Sequence, residues 1–220
     1  MTVMKTMEHG AGATWPVFTL ARGERLTPET PGLFYLLNGR VRYQRVTDTG
    51  HEASIGVLGE GDAFVYQRQW LPGSPDAMIE ALEETRVLFL RERDMADFVS
   101  QNPELASRVM VALARRAGDV VEIACDLALV DARRRILRAL VRLADRHGDT
   151  EMDGDFRRIV VPLKHQDLAS LVGACRETVT SVLADLARRG VVRTGRCMIA
   201  VNRDLALELL EDEAQRQTAG

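Results

Sequence analysis

The stretch 165–186, HQDLASLVGACRETVTSVLADL, decides how this chain folds. Leu168, Ala169 and Val172 share one face of a short first helix, and Val179, Val182, Leu183 and Leu186 repeat at helical spacing in a second. Gly173 stands between them, where the chain must turn and glycine takes a positive φ at little cost. Ala169 is small where the helices would cross. The spacing predicts a helix-turn-helix with Arg176, Glu177, Thr178 and Ser181 on the outer face near the start of the second helix. That face suits a DNA major groove, because arginine pairs with guanine O6 and N7 and glutamate accepts from cytosine N4. An amphipathic helical hairpin with solvated charges is the competing reading, and it leaves the next segment unexplained. After Arg188-Arg189-Gly190 comes VVRTGRCMIAV at 191–201, two apolar runs around a glycine-containing turn, which is the signal for a β-hairpin. A hairpin after a recognition helix is a wing, and Arg193 and Arg196 near its tip are placed to meet phosphates.

Charge is distributed to match. The net charge of −3 argues against a general nucleic-acid coat. Residues 1–130 carry 13 basic and 18 acidic side chains, net −5, whereas residues 131–203 carry 15 basic and 9 acidic, net +6. A basic segment coinciding with the helix-turn-helix and wing is the footprint expected of a DNA-binding domain. Three cysteines, Cys125, Cys175 and Cys197, cannot all pair within the chain and suit a reducing cytoplasm. No apolar run approaches the roughly 20 residues that span a bilayer, and no signal peptide is evident. No nucleophile–base constellation, phosphate-cradling loop or metal-ligand spacing points to an enzyme, a cofactor or a metal.

Upstream, residues 1–13 read as a flexible tail. Residues 14–101 alternate short β-prone runs with turns such as Asn38-Gly39, Asp48-Thr49-Gly50 and Gly59-Glu60-Gly61-Asp62, the pattern of a β-sandwich or β-roll. Asn102-Pro103 opens a long helix over 102–130. Ala106, Val109, Leu113, Arg116, Val120, Ile123, Leu127 and Val130 recur in it at steps of three and four, the seam of a parallel dimer. Val109, Leu113, Val120, Ile123 and Leu127 are the expected dimer contacts, and Arg116 is out of character. The alternative is a helix lying on its own β-domain. Residues 131–220 form the DNA-binding domain, with Asp131 capping a helix over 132–147. The arginines at 133, 134, 135, 138 and 142 read as a solvated or phosphate-facing side. Residues 148–158 read as a loop, and Ile159-Val160-Val161 as a short strand.

In this order the pieces resemble the cyclic-AMP receptor protein/FNR family of bacterial transcription regulators, over residues 15 to 205. The resemblance is most specific in Gly173-Ala-Cys-Arg-Glu-Thr-Val179, close to the family's recognition-helix signature. Leu37-Asn-Gly-Arg-Val41, Gly50-His-Glu and Leu58-Gly-Glu-Gly-Asp62 resemble its β-roll turns. It implies an α+β fold: an N-terminal jelly-roll-like β-roll sensor domain, a long dimerisation helix and a C-terminal winged helix-turn-helix domain. It further implies a cytoplasmic homodimer that binds a palindromic promoter site on double-stranded DNA and activates with RNA polymerase. Arg176 and Glu177 would read bases, and Lys164, His165, Gln166, Thr178, Ser181, Arg193 and Arg196 would complete the DNA contact. Asp131 falls at the family's hinge. Ser181 replaces an arginine that is often the third base reader, and Lys164 stands where the first helix is commonly capped.

The β-roll departs from the family's cyclic-nucleotide binders. Val65-Tyr66 stands where a Gly-Glu pair would place a carboxylate on the ribose. Pro75-Asp76 stands where an Arg-Ser pair would hold the phosphate. Val120-Val121 stands where a polar pair would touch the base. A carboxylate repels phosphate, and proline donates no N–H. The expectation is a regulator that does not depend on cyclic AMP. The alternative is an effector-gated sensor whose β-roll binds another small ligand or haem, with His51 or His9 as ligand, or which responds to oxidation of Cys175.

Overall fold

Apolar strands that alternate between two cores account for the first half of the computed structural model, which describes residues 7–8, 15–27, 30–47, 50, 52–66, 76–152, 155–160, 163–195 and 198–218. The chain divides into two units, Met1–Val121 and Glu122–Gly220. The first holds β1 (Met7–Glu8), β2 (Val17–Leu20), β3 (Arg25–Leu26), β4 (Gly32–Asn38), β5 (Val41–Val46), β6 (Glu52–Leu58), β7 (Ala63–Tyr66), β8 (Asp76–Ala81) and β9 (Thr85–Arg91). They pair antiparallel into two sheets, ordered β1-β2-β9-β4-β7 and β3-β8-β5-β6. Phe34, Leu36, Val87 and Phe89 point into the core that includes Val41, Leu58 and Ile79 from the second sheet. Leu33, Tyr35, Leu88 and Leu90 point to the other face, against Phe98, Ala106, Val109 and Ala112. Burial on both faces is why β4 and β9 read as unbroken apolar runs. Asn38-Gly39 turns as expected, but it carries the chain from one sheet to the other. Gly39 has φ 80°, and a Cβ there would lie 2.5 Å from the Glu84 carbonyl oxygen. Met7 and Glu8 pair with β2, so the stretch read as a flexible tail carries a strand.

Two helices follow, α1 (Met95–Gln101), which the sequence reading missed, and α2 (Pro103–Leu129), which starts where Pro103 predicts. The dimer seam needs correction. Val109 is only 4 % exposed and, with Ala106 and Ala112, belongs to the core of its own β-domain, against which Leu113 also packs. The Arg116 guanidinium lies over the Tyr43 ring of β5, 5.9 Å from its centroid, which explains an arginine in an apolar row. The first half of the supposed seam therefore faces the β-domain.

The second unit contains the end of α2, then α3 (Ala132–His147), β10 (Gly148–Met152), β11 (Phe156–Ile159), α4 (His165–Val172), α5 (Arg176–Arg188), β12 (Val192–Gly195), β13 (Met198–Asn202) and α6 (Arg203–Thr218). The strands form one antiparallel sheet, β10-β11-β13-β12. β10 and β11 replace the expected loop over 148–158; their polar sequence hides them, and pairing with β13 explains them. Ile136, Leu137, Leu140, Leu168, Ala169, Val179, Leu183, Leu186 and Val201 are buried in this unit.

Candidate nucleic-acid interface

The turn between α4 and α5 is held from three sides. Gly173 caps α4 in the left-handed region, φ 60° and ψ 46°. A Cβ at Gly173 would lie 2.7 Å from Leu127 Cδ2, so the glycine also admits the end of α2. Arg135 closes the arrangement: its Nε donates to the Val172 carbonyl (2.8 Å), one Nη to Gly173 O (3.1 Å) and the other to Val130 O (2.7 Å). These are orphan carbonyls at helix ends, which a buried helix terminus must satisfy. Leu127 borders this turn and is still 49 % exposed, as a residue of the expected dimer seam can be.

The start of α4 lacks a side-chain cap from Lys164, as its residue type dictates. Asp167 supplies the link instead, its carboxylate accepting from the Lys164 backbone N–H at 2.9 Å. Lys164 and Gln166 are exposed, and His165 is half-buried. On α5, Val179, Leu183 and Leu186 are buried, while Arg176, Glu177, Thr180, Ser181, Ala184 and Arg188 are exposed. Arg176 and Glu177 thus occupy the first turn of an exposed helix face, with Ser181 one turn on. The half-buried Thr178 has its hydroxyl 3.0 Å from the thiol of Cys175, the exposed N-cap of α5. His165 Nδ1 lies 2.9 Å from the Thr180 hydroxyl, which donates to the Arg176 carbonyl at 2.9 Å. Thr180 is absent from the sequence-predicted set, although its position four residues after Arg176 marks it.

The wing is present as β12 and β13. Arg193 stacks on the Phe156 ring of β11, 4.0 Å from its centroid. Arg196, Cys197, His9 and His51 lie outside the described residues.

The arginines of α3 are not a free cationic side. Arg133 bridges Asp185 on α5 (2.8 Å) and Glu213 on α6 (3.0 Å). The bond from Arg133 holds the Asp185 carboxyl below its ordinary value. Arg138 and Arg142 grip the two carboxylate oxygens of Asp126, at 2.8 and 3.0 Å. Asp131 is the α3 N-cap, accepting from the Arg134 N–H at 3.0 Å. Sequence reasoning missed Asp126 and Arg135, because their partners are 16 and 38 residues away.

Comparison with known proteins agrees with this architecture. Residues 134–209 match the Crp-like helix-turn-helix domain and residues 25–102 the cyclic nucleotide-binding domain. The chain is 30 % identical over 161 residues to the CRP-like cAMP-activated global transcriptional regulator of Mycobacterium tuberculosis, covering 73 % of this chain and 71 % of that protein. It is 32 % identical over 180 residues to the cyclic AMP receptor protein of Thermus thermophilus, covering 80 % and 77 %. A solved structure of a CRP-family transcriptional regulator from Thermus thermophilus superposes with TM-score 0.65 at 29 % identity, covering 90 % of this chain and 96 % of that one. No helix among the described residues is long and apolar enough to cross a membrane.

Proposed function

The chain belongs to the Crp/Fnr family of DNA-binding transcription regulators, which are not enzymes, and we propose that it acts as a homodimer on palindromic promoter DNA, activating with RNA polymerase and without need of cyclic AMP. The observation that carries the DNA contact is the outer face of α5: Arg176, Glu177 and Ser181 are exposed while Val179, Leu183 and Leu186 bury the opposite face. Two such helices in successive major grooves lie about 34 Å apart. Lys164, His165, Gln166 and Thr178 border the same face and supply the backbone contacts, with Arg193 and Arg196 on the wing. Asp131, the expected hinge, caps α3 directly after α2, ten residues past the division of the two units at Val121. Phosphate contacts make affinity fall with salt.

The second copy packs along a row that the β-domain leaves open. Met110, Ala114, Ala117, Val121, Ala124 and Ala128 are all exposed on α2 and recur at steps of four and three. This row sits one residue later than the seam expected from sequence, and its alanines permit close approach of two helices.

Independence from cyclic AMP rests on side-chain chemistry. Tyr66 packs into the β-domain core where a carboxylate would reach a ribose. Asp76 begins β8 and brings a carboxylate to the position where the resemblance implies a phosphate contact, and the exposed Val120 and Val121 present only apolar atoms. Two of the relatives named above are described by cyclic AMP, so the nucleotide is the effector to test first. Fluorescence anisotropy of a TGTGA-type palindromic duplex, with and without cyclic AMP and beside a scrambled duplex, tests the proposal. Tight binding indifferent to the nucleotide is expected; tightening on its addition would overturn independence. Arg176→Ala is expected to lose about 1–3 kcal/mol of discrimination while keeping non-specific affinity. Equal loss on both duplexes would remove Arg176 from the base contacts.

A further inference from the structure

We infer that Thr180 is a specificity residue that reads thymine through its methyl group, an inference that rests on α5 being the recognition helix. Thr180 is exposed on α5, one turn beyond Arg176 and beside Ser181. Its hydroxyl is already engaged. It donates its single proton to the Arg176 carbonyl at 2.9 Å, a bond from a helical threonine to the residue four before it. His165 Nδ1 approaches the Thr180 hydroxyl oxygen at 2.9 Å. With the hydroxyl proton given to Arg176, Nδ1 must carry the ring proton and donate. The two bonds hold the hydroxyl from both sides, and a β-branched side chain has few other χ1 choices in a helix. The hydroxyl has no proton left to give and keeps one lone pair, so the group that faces a partner without a competing bond is the Cγ2 methyl.

The next exposed side chain one turn further is Ala184, a second methyl. Polar base readers therefore stand at the start of the helix, and an apolar pair stands beyond them. Among the base edges of the major groove, the C5-methyl of thymine is the apolar group that such a surface matches. Ser181 beside it is too short to reach past it as an arginine would. The site read by this protein thus has a thymine next to the base pairs read by Arg176 and Glu177.

The test begins by selecting a preferred duplex for the full-length wild-type protein from a randomised pool. Each thymine of the selected site is then replaced by deoxyuridine, which removes the C5-methyl alone. For wild type, one thymine per half-site is expected to show about fourfold weaker binding, the worth of one buried carbon. Thr180→Ser retains the hydroxyl and its two bonds but lacks the methyl. It is expected to bind thymine and deoxyuridine duplexes alike while still rejecting changes at the guanine and cytosine read by Arg176 and Glu177. If the deoxyuridine penalty persists in Thr180→Ser, another side chain reads the methyl and the inference is wrong. If no thymine is sensitive in a site that wild type binds selectively, the inference fails while the recognition helix stands. If no site is enriched, the recognition-helix reading itself fails, and the inference with it.

Discussion

Gly173 shows how much one residue carries. Its left-handed φ is the part that sequence spacing predicts, because two helices cannot join so tightly otherwise. The approach of Leu127, 46 positions earlier, is a separate constraint that spacing does not reveal. Gly173→Ala meets both. Left-handed strain costs about 1–2 kcal/mol, and the Leu127 contact adds to it. A urea midpoint should fall accordingly, and Leu127→Ala in the same chain should return the contact part but leave the strain. Full recovery in the double variant would show that the conformation of residue 173 is not costly. At the same scale, Asp167 replaces the missing cap of Lys164, a substitution of roles visible from residue types three apart.

At the scale of elements, the instructive case is α2. Its apolar row at 106, 109 and 113 has the period of a dimer seam, yet it packs on β-strands of the same chain. Periodicity states that a face is buried and is silent on what buries it. The far end of α2 is fixed by charge. Asp126 is 3 % exposed and holds both Arg138 and Arg142 of α3. Removing the carboxylate takes this partner from Arg138 and leaves Arg142 with Glu122, 4.0 Å away, at a partly exposed site, so the cost falls below that of a fully buried pair. Asp126→Ala is expected to lower unfolding free energy by about 2 kcal/mol, read by urea denaturation. It should also speed amide hydrogen exchange in residues 122–130. Unchanged exchange there would mean that apolar packing alone holds the end of α2.

For the whole molecule, the proposed dimer turns on the open row of α2. Val121 is 61 % exposed within the open row, whereas Val109 is already enclosed. Val121→Glu places like charges opposite each other in a dimer and is expected to halve the mass seen by light scattering, from twice 24.5 kDa to one chain, with the fold intact. Val109→Glu should instead unfold the β-domain, because it buries an unpaired carboxylate. A Val121→Glu protein that stays dimeric would move the interface elsewhere. Dimeric wild type that binds one palindrome, against monomeric Val121→Glu with only half-site affinity, would join this scale to the DNA contact.

Local order was open to reading from residues because it depends on neighbours in the chain. The α4–turn–α5 unit, the cap at Asp131, the start of α2 at Pro103 and the hairpin wing all follow from period, glycine and proline, and the structure has each of them. The architecture that unites them follows from their order. Only tertiary structure decided the partners of side chains far apart in sequence. It placed Arg116 over Tyr43, Arg135 on the carbonyls at Val172 and Gly173, Asp126 between two arginines, and the hydroxyl of Thr180 between His165 and Arg176. An arginine or threonine has the same solvated appearance in a sequence whether it faces water or a carbonyl. Which it faces depends on how the elements pack, and that packing is set by the whole apolar surface rather than by the residue itself.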